Sequence, residues 1–272
     1  MNGPHVDSAG RPEPALLGRV ALVVGGGTGP DGIGNGAALA VTYARAGATV
    51  LVADRDEQAA RRTLRAIGDD ALDASVATVD VTDDDSVRRL ADEVGAAHGP
   101  VDILHNNVGI VRMGSPPALA VSDWNAVIDT NLTGVVRTCN AFLGPMLERG
   151  SGVIINTSSV ASLKHTGYDY SAYYAAKAGL DHLTRTLAVQ LAPSGVRVNA
   201  VLPGMIDTPL VYREIGGDVS REALAAERAA AVPMRRMGTV WEVAAAAVFL
   251  ASDAASYITG VCLPVDGGLS LT

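Results

Sequence analysis

Residues 20–54 of the chain have the sequence VALVVGGGTGPDGIGNGAALAVTYARAGATVLVAD, and this stretch decides the fold. It begins with an apolar run, Val20–Val24, which is followed by a glycine-rich turn and an apolar segment of helical length, Ala37–Ala46. A second apolar run, Thr49–Ala53, then ends at Asp54. Short runs rich in Val favour strands, so the order strand, helix, strand predicts a βαβ unit with two parallel strands.

The same alternation continues through most of the chain. Apolar runs rich in Val and Ile predict seven strands: Val20–Val24, Thr49–Ala53, Ser75–Val79, Ile103–His105, Val153–Thr157, Arg197–Val201 and Val261–Val265. The segments between them predict helices that begin near Gly34, Asp56, Asp83, Ser122, Ser171 and Val240. Because crossovers between parallel strands are right-handed, we expect helices on both faces of the sheet. The predicted fold is α/β, with one doubly wound (Rossmann) parallel seven-stranded sheet.

The chain is expected to form one domain. No internal repeat and no Ser/Gly linker divides residues 18–272, which we assign to one folded domain. Residues 1–17 are predicted to form a flexible N-terminal arm, because Met1–Pro14 has no apolar segment of the kind that a secretory signal requires. Residues 210–233 interrupt the rhythm, and we expect this excursion to form a lid or a substrate wall, with an oligomer loop as the alternative.

Composition excludes several classes of function. Apolar residues make up 48% of the chain and charged residues 18%, which is typical of a globular protein. A net charge of −8 disfavours nucleic acid partners, since their phosphates are bound mainly by Lys and Arg. No apolar run approaches the roughly 20 residues of a membrane span, so we expect a soluble, cytoplasmic protein. The two cysteines, Cys139 and Cys262, are far apart and predict neither a disulfide framework nor a metal site.

The glycine-rich turn, residues 25–36, is suited to bind a pyrophosphate. Glycines let the backbone approach phosphates closely, and the helix that follows offers unpaired N–H groups and the positive end of its dipole. Asp54 lies 20 residues after Gly34, where a carboxylate can accept hydrogen bonds from both ribose hydroxyls and repel a 2′-phosphate. The turn and Asp54 together predict NAD rather than NADP, although Arg55 next to the carboxylate could offset part of the repulsion.

Short polar signatures follow the next two strands. Asp80-Val81 comes after the third strand, and Asn106-Asn107-Val108-Gly109 comes after the fourth. Each alone could be an ordinary cap or turn. Because the carboxyl ends of parallel strands share one edge of the sheet, we expect both signatures to line the crevice that holds the cofactor.

Tyr173 and Lys177 are four residues apart at the start of a predicted helix, so their side chains share one face. An ammonium close to a phenol favours the phenolate, and we expect Lys177 to lower the pKa of Tyr173 until it can act as a base near neutral pH. Hydroxyl groups at the same edge come from Ser158 and Ser159, after the fifth strand.

These motifs, in order and spacing, resemble those of the short-chain dehydrogenase/reductase family from about Gly18 to Gly268. The resemblance is carried by the glycine-rich turn, Asp54, Asp80-Val81, Asn106-Asn107-Val108-Gly109, Asn131, Ser159, Tyr173 with Lys177, Pro203-Gly204 with Thr208, and Val265-Asp266-Gly267-Gly268. It implies an oxidoreductase that interconverts a secondary alcohol and a ketone by hydride transfer to or from NAD. The alcohol or ketone would be a small or medium-sized molecule, with oxidation as the expected direction.

Carried over to this chain, the resemblance implies that Ser159 bonds the substrate oxygen and that Tyr173 takes or gives its proton. Lys177 would bind the nicotinamide ribose, and Asn131 would hold a water in a proton relay from Lys177. The residues expected to contact NAD are Gly26, Thr28, Gly32, Ile33, Asp54, Asp80, Val81, Asn107, Val108, Gly109, Tyr173, Lys177, Pro203, Gly204, Ile206 and Thr208.

Several features leave alternatives open. The turn has five residues between Gly26 and Gly32, about two more than the family usually shows, and a longer spacing to Tyr173 keeps Ser158 as a competitor of Ser159. His165 is a candidate for the pocket wall. The C-terminal stretch resembles the part through which family members form homotetramers.

Two other functions remain as alternatives. One is a non-catalytic NAD sensor or scaffold, and the other is a nucleotide-sugar epimerase or dehydratase, whose chains usually add a C-terminal substrate domain.

Overall fold

The protein is described by a computed structural model that covers residues 14–68, 73–214 and 219–272. Within these residues the strands are β1 (Val20–Val24), β2 (Thr49–Asp54), β3 (Ala74–Thr78), β4 (Ile103–Asn106), β5 (Gly152–Thr157), β6 (Val196–Pro203) and β7 (Cys262–Val265). The helices are α1 (Asn35–Arg45), α2 (Glu57–Ile67), α3 (Asp84–His98), α4 (Val121–Ile128), α5 (Gly134–Arg149), α6 (Ser171–Leu191), α7 (Pro209–Glu214), α8 (Arg221–Ala231) and α9 (Val240–Ala251).

All seven strands form one parallel sheet in the order β3-β2-β1-β4-β5-β6-β7. The predicted seven-stranded Rossmann sheet is therefore confirmed. The strand order reverses between β1 and β4, and in doubly wound sheets ligands bind beyond the carboxyl ends of the strands at this reversal.

Alternate side chains of β1 point to opposite faces of the sheet, and each face is covered by helices. Ala21 and Val23 belong to an apolar core that α1 and α9 close, with Ala residues of both helices in close contact. Leu22 and Val24 belong to a second core that α3, α5 and α6 close. The expected helices on both faces are thus present, and small side chains allow them to pack closely on the sheet.

Two predicted helix starts coincide with capping side chains. Asp56 accepts a hydrogen bond from the Gln58 N–H at the start of α2, and Asp83 accepts one from the Asp85 N–H at the start of α3. These bonds satisfy N–H groups that the first turn of a helix leaves without partners. The sequence pattern located both ends because the capping chemistry is local.

The helix predicted from Ser122 is more complex than the sequence pattern indicates. It consists of α4 and α5, joined without a break by a wide π-helical turn over Asp129–Thr133. Such turns occur mainly as single insertions in α-helices and frequently at functional sites. Asn131 lies in the turn and is fully buried, so the insertion determines where its amide group points.

Residues 14–17, which the sequence assigned to the N-terminal arm, lie against the folded body. Leu16 is 1% exposed and belongs to the same core as α1, and its N–H donates to the Ala46 carbonyl at 2.8 Å. Burying this apolar side chain removes it from water, which favours the packed position over a solvated arm. Residues 1–13, the rest of the predicted arm, lie outside the described residues. In the described part of the chain, no helix combines the length and the apolar character needed to span a bilayer.

Candidate active site

A cavity of about 590 Å³ lies along the carboxyl ends of the strands, where the strand order reverses. Most of the residues that the sequence singled out line it together. They are Thr28, Asp54, Asp80, Val81, Asn107, Val108, Gly109, Ser159, Tyr173, Lys177, Pro203, Gly204, Ile206 and Thr208. The remaining four candidates, Gly26, Gly32, Ile33 and Asn131, do not line the cavity.

Two of these four lie behind the wall. Gly26 packs on β2, because a Cβ at this position would be 2.9 Å from the Val52 side chain, and its carbonyl accepts from the Thr63 hydroxyl at 2.8 Å. Ile33 packs against the core between the sheet and α1. Both residues therefore support the turn from below the cavity wall, and their contact with a bound dinucleotide stays a prediction.

Thr28 explains how the longer glycine-rich turn is accommodated. Its hydroxyl donates to the Gly32 carbonyl and accepts from the Gly34 N–H at 3.2 Å. These two bonds close the base of the turn, and Pro30 and Asp31 are exposed on the outside. The additional residues therefore project into solvent, together with Gly32, and the remainder of the turn keeps a compact form.

The inner part of the turn requires glycine. A Cβ at Gly36 would lie 2.0 Å from the Gly25 carbonyl oxygen, and one at Gly25 would lie 2.8 Å from the Val108 nitrogen. Gly34 directly precedes α1 at the N-cap position, and no side chain caps the helix there. The first N–H groups of α1 therefore keep their hydrogen-bonding capacity on the cavity side. Asn35, also in the wall, has a buried side-chain oxygen without a partner among the described residues.

Asp54 is held in a fixed position at the end of β2. One carboxylate oxygen accepts from the Gly27 N–H at 2.9 Å, and the other accepts from the Asp56 N–H at 3.0 Å. A side chain at Gly27 would clash with this carboxylate, since its Cβ would lie 2.6 Å from Oδ2. Arg55 also lines the cavity. The turn and the end of β2 are thus built as one unit.

Lys177 is buried in the first turns of α6, with 2% of its surface exposed. Its ammonium donates to the Thr157 carbonyl at 2.8 Å and lies 5.6 Å from the centre of the Tyr173 ring. Burial lowers the pKa of Lys177 to about 8, and the nearby Asp181 carboxylate opposes this shift. The group therefore keeps its charge near neutral pH.

The pKa of Tyr173 differs from the expectation. Burial raises this pKa, and the opposing influence is a hydrogen bond with the Ser159 side chain. A net lowering of this pKa, which the Tyr173–Lys177 spacing predicted, is not found in the chain alone: the ammonium donates to the Thr157 carbonyl and lies over the Tyr173 ring, 5.6 Å from its centre. Loss of water around the phenol outweighs the attraction of this charge for the phenolate.

The two candidate serines have different surroundings. Ser159 opens a short 3-10 turn, and its hydroxyl accepts from the Ala161 N–H at 3.1 Å in addition to its interaction with Tyr173. Ser158 is buried, and its hydroxyl donates to the Lys177 carbonyl at 3.3 Å. Of the two hydroxyls, that of Ser159 is therefore the one linked to the Tyr173 phenol.

The amide of Asn131 holds the loop that follows β4. Its oxygen accepts from the Ile110 N–H at 2.8 Å, and its nitrogen donates to the Ile110 carbonyl at 2.9 Å. A Cβ at Gly109 would lie 3.6 Å from Lys177 Nζ and 3.8 Å from Asn131 Oδ1, so these two polar groups border the same small space. The predicted water relay through Asn131 stays a prediction.

A buried polar network behind the site was not foreseen. The Tyr43 hydroxyl lies 2.7 Å from His105 Nδ1, and His105 Nε2 lies 2.8 Å from the Thr157 hydroxyl. Burial lowers the pKa of His105 to about 3, so the imidazole is neutral. Because Thr157 also provides the carbonyl that binds Lys177, the network fixes the neighbourhood of this ammonium. The sequence signal that could have indicated this network is His105, a histidine within an otherwise apolar strand.

A row of aromatic rings lines the cavity next to Tyr173. Tyr168 stacks on Tyr170 at 5.8 Å, and Tyr170 meets Tyr173 edge-on at 5.3 Å between ring centres. Neither Tyr168 nor Tyr170 has a lysine four residues later, so the spacing that identified Tyr173 does not identify them. His165 was expected in the wall, but it is exposed and stacks on Tyr174 outside the cavity.

The excursion over residues 210–233 contributes to the same wall. It contains α7 and α8, and residues 215–218 between them lie outside the described residues. Leu210 and Val211 on α7 and Arg228 on α8 line the cavity. No spacing rule identified Arg228, since α8 has the composition of an ordinary exposed helix. That the excursion moves as a lid stays a prediction.

Comparisons with known proteins agree with this architecture. A family model described as Enoyl-(Acyl carrier protein) reductase matches residues 27–270. The cis-4-hydroxycyclohexanecarboxylate dehydrogenase of Sinomonas cyclohexanicum is 43% identical over 257 residues, covering 93% of this chain and 97% of that protein. The 3beta-hydroxysteroid dehydrogenase 1 of Eggerthella lenta is 39% identical over 258 residues, covering 94% and 95%.

Among solved structures, a Burkholderia xenovorans protein assigned to the short-chain dehydrogenases/reductases superimposes with a TM-score of 0.89 at 40% sequence identity. The match covers 95% of this chain and 98% of that protein. Sequence and structure thus agree over nearly the full length of the relatives. The chain belongs to the short-chain dehydrogenase/reductase family, whose members are oxidoreductases that use nicotinamide cofactors.

Proposed function

We propose that the protein is an NAD(H)-dependent dehydrogenase that interconverts a secondary alcohol and a ketone, with Tyr173 as the general acid and base. The observation that carries the proposal is the meeting of Ser159, Tyr173 and Lys177 in one cavity wall at the carboxyl edge of the sheet. A phenol, a hydroxyl and an ammonium in this arrangement suit proton transfer at a substrate oxygen.

The glycine-rich turn and the end of β2 fit a dinucleotide. Gly25 and Gly36 leave no space for side chains, and the uncapped first turn of α1 offers N–H groups to a pyrophosphate. The unpartnered buried oxygen of Asn35 lies in the same wall and is available to a donor on the ligand. When bound, the nicotinamide would accept or supply the hydride.

Asp54 supports NAD as the preferred cofactor. Its carboxylate is oriented by two backbone N–H groups, and it retains further acceptor sites for the two ribose hydroxyls of an adenosine. A 2′-phosphate in the same place would bring two negative groups together. The neighbouring Arg55 lines the cavity, and within the described residues it forms no ion pair with Asp54.

In the oxidation direction, the substrate hydroxyl would lose its proton to Tyr173 while its carbon loses a hydride. Ser159 would donate a hydrogen bond to the oxygen as negative charge develops there. Lys177 would hold positive charge beside the phenol, its position fixed by the Thr157 carbonyl. In reduction, Tyr173 would return the proton to the oxygen. Because burial raises the pKa of Tyr173, its protonated form prevails at neutral pH.

The relatives support the substrate class. One is a dehydrogenase of a 3beta-hydroxysteroid and another of cis-4-hydroxycyclohexanecarboxylate, so both act on a secondary alcohol carried by a saturated ring. The partly apolar wall formed by Leu210, Val211 and Tyr168 would suit such a ring. A cyclic secondary alcohol is therefore the first substrate to test.

We also propose that the protein forms a homotetramer. The exposed aromatic side chains Trp241 and Phe249 project from α9, and Tyr257 follows this helix with its side chain fully exposed. Burying these groups between copies of the chain would remove apolar surface from water. Light scattering after size-exclusion chromatography measures the assembly directly, and a monomer at micromolar concentration would contradict this part of the proposal.

The reaction class is tested by following the absorbance of the reduced nicotinamide while the purified protein is mixed with NAD or NADP and a panel of cyclic secondary alcohols. Ketones with the reduced cofactors are run in parallel. Turnover that prefers NAD is expected. Absence of turnover with every alcohol and ketone, in protein that still binds NADH, would contradict the proposal.

A further inference from the structure

Arg228 on α8 is a buried cation in the wall of the cavity. Only 5% of its surface is exposed, and it lines the cavity together with Tyr168 and Tyr170. Within the described residues, no carboxylate forms an ion pair with it, whereas Arg112, in the same wall, has Asp123 at 3.7 Å. The side chain therefore places a guanidinium, a planar cation with five N–H donors, in the cavity wall.

The hydrogen bonds of Arg228 are incomplete. One Nη1 hydrogen goes to the Tyr168 hydroxyl at 3.0 Å, and Cζ lies 5.8 Å from the centre of the Tyr168 ring. The Nε–H is buried and has no partner among the described residues. A buried donor without an acceptor and a buried charge without a counter-charge are both unfavourable. The site is therefore ready for an anionic acceptor that enters the cavity.

The position of Arg228 relates it to the reacting groups. Tyr168 beside the guanidinium stacks on Tyr170, and Tyr170 contacts the ring of Tyr173. Arg228 thus lies at the far end of a row of three rings that begins at the proposed acid/base. Tyr168 also packs against an apolar cluster that includes Val160, Met205, Val232 and Leu269. Val160 and Met205 of this cluster also line the cavity, so an apolar part of a ligand would meet apolar side chains there.

We propose that Arg228 binds a carboxylate of the substrate, so that the protein acts on a hydroxy acid, or on the corresponding keto acid, whose carboxylate is separated from the reacting carbon by an apolar body. The proposal rests on the proposed function, because it assigns the reacting carbon to Tyr173. One guanidinium neutralises one carboxylate, and its planar N–H edge matches the two oxygens of that group.

Binding tests the proposal without turnover. Cyclohexanecarboxylate and its neutral isostere cyclohexanecarboxamide are titrated by calorimetry into the protein with NADH present. The carboxylate is expected to bind at least about tenfold more tightly, since hydrogen bonds to charged groups are stronger than hydrogen bonds between neutral groups. Equal affinities, or no measurable binding of the carboxylate, would overturn the proposal. Tighter binding of cyclohexyl phosphate than of the carboxylate would overturn the choice of anion.

Variants then assign the preference to Arg228. In Arg228→Gln, the preference for the carboxylate over the carboxamide is expected to fall to about twofold or less. Arg221→Gln is the matched control, because Arg221 lies on the same helix, is exposed and does not line the cavity. A preference that survives in Arg228→Gln would overturn the assignment. Binding of NADH, followed by its fluorescence, shows whether each variant remains folded.

Kinetics separate this proposal from the proposed function. The ratio of kcat/KM for 4-hydroxycyclohexanecarboxylate to kcat/KM for its methyl ester is expected to exceed about ten, and to approach one in Arg228→Gln. Turnover of neutral alcohols with a ratio near one would overturn the carboxylate site and leave the dehydrogenase intact. Absence of turnover with all alcohols would contradict the dehydrogenase, and the calorimetric comparison would still decide whether Arg228 binds a carboxylate.

Discussion

Replacing Asp54 by Asn should reduce the preference for NAD over NADP by about 30-fold. The substitution keeps the shape of the side chain and an oxygen that accepts from the Gly27 N–H, so the turn should keep its structure. It removes the charge at the end of β2 and, because an amide nitrogen cannot accept, the bond from the exposed Asp56 N–H. The prediction therefore addresses mainly the electrostatic part of cofactor choice.

The magnitude follows from charge separation. Two unit charges about 5 Å apart interact by about 3 kcal/mol at an effective dielectric constant of about 20. A phosphate monoester carries between about −1.5 and −2 charges at neutral pH, which increases the repulsion. Asp54 is partly exposed and Arg55 lies beside it in the wall, so solvent and this cation reduce the repulsion. A net penalty of about 2 kcal/mol corresponds to about 30-fold.

The assay is the ratio of kcat/KM for NAD to kcat/KM for NADP with one alcohol substrate. Asp56→Asn is the matched control, since Asp56 is an exposed carboxylate two residues further along that caps α2 and pairs with Arg62. It should change the ratio by less than about threefold. An unchanged ratio in Asp54→Asn, or an equal change in both variants, would refute the reasoning.

Three further predictions follow from the structure. Gly36→Ala should weaken NADH binding at least about tenfold in a fluorescence titration, because the new methyl group would lie 2.0 Å from the Gly25 carbonyl oxygen. Gly95→Ala is the control and should bind NADH normally, since nothing lies within 4 Å of its methyl group. Tyr43→Phe should lower the free energy of unfolding by about 1–3 kcal/mol in urea titrations, because it removes the hydrogen-bond partner of His105 Nδ1. Tyr257→Phe, at the exposed surface, should change this free energy by less than about 0.5 kcal/mol. The value of kcat/KM for alcohol oxidation should rise with pH, because burial raises the pKa of Tyr173 and only the deprotonated phenol accepts a proton. Lys177→Met should move this rise to higher pH, since a positive charge near the phenol is lost, whereas Lys164→Met should leave the profile in place. A flat pH profile, or one that is identical in Lys177→Met, would contradict the proposed roles of these two groups.

The sequence predicted the parts of the molecule that depend on local patterns. Strand β1 was placed at its observed ends, Val20–Val24, because a short apolar run between polar segments has few alternatives. Asp54 and the Tyr173–Lys177 pair were located because each follows from spacing along one strand or one helix. Their meeting in one cavity follows from the parallel sheet, which brings all carboxyl ends to the same edge.

The parts that were missed depend on contacts between distant segments. The π-helical turn around Asn131 leaves no mark in the hydrophobic period, and the Tyr43–His105 contact joins a helix to a strand 62 residues later. Arg228 became a candidate only when α8 was seen to bury it beside Tyr168. The pKa of Tyr173 was misjudged for the same reason, since burial is a property of the folded chain.

The central claim is tested most directly by Tyr173→Phe, compared with Tyr174→Phe at the neighbouring position, where the side chain does not line the cavity and its phenol oxygen accepts from the Thr166 N–H. The measurement is NAD-dependent turnover of a cyclic secondary alcohol, with NADH affinity determined in parallel. The account predicts that Tyr173→Phe loses about 10²–10⁴-fold in kcat while NADH affinity persists and Tyr174→Phe stays active. Turnover in Tyr173→Phe close to that of the unaltered protein would contradict the assignment of the acid/base and, with it, the mechanism.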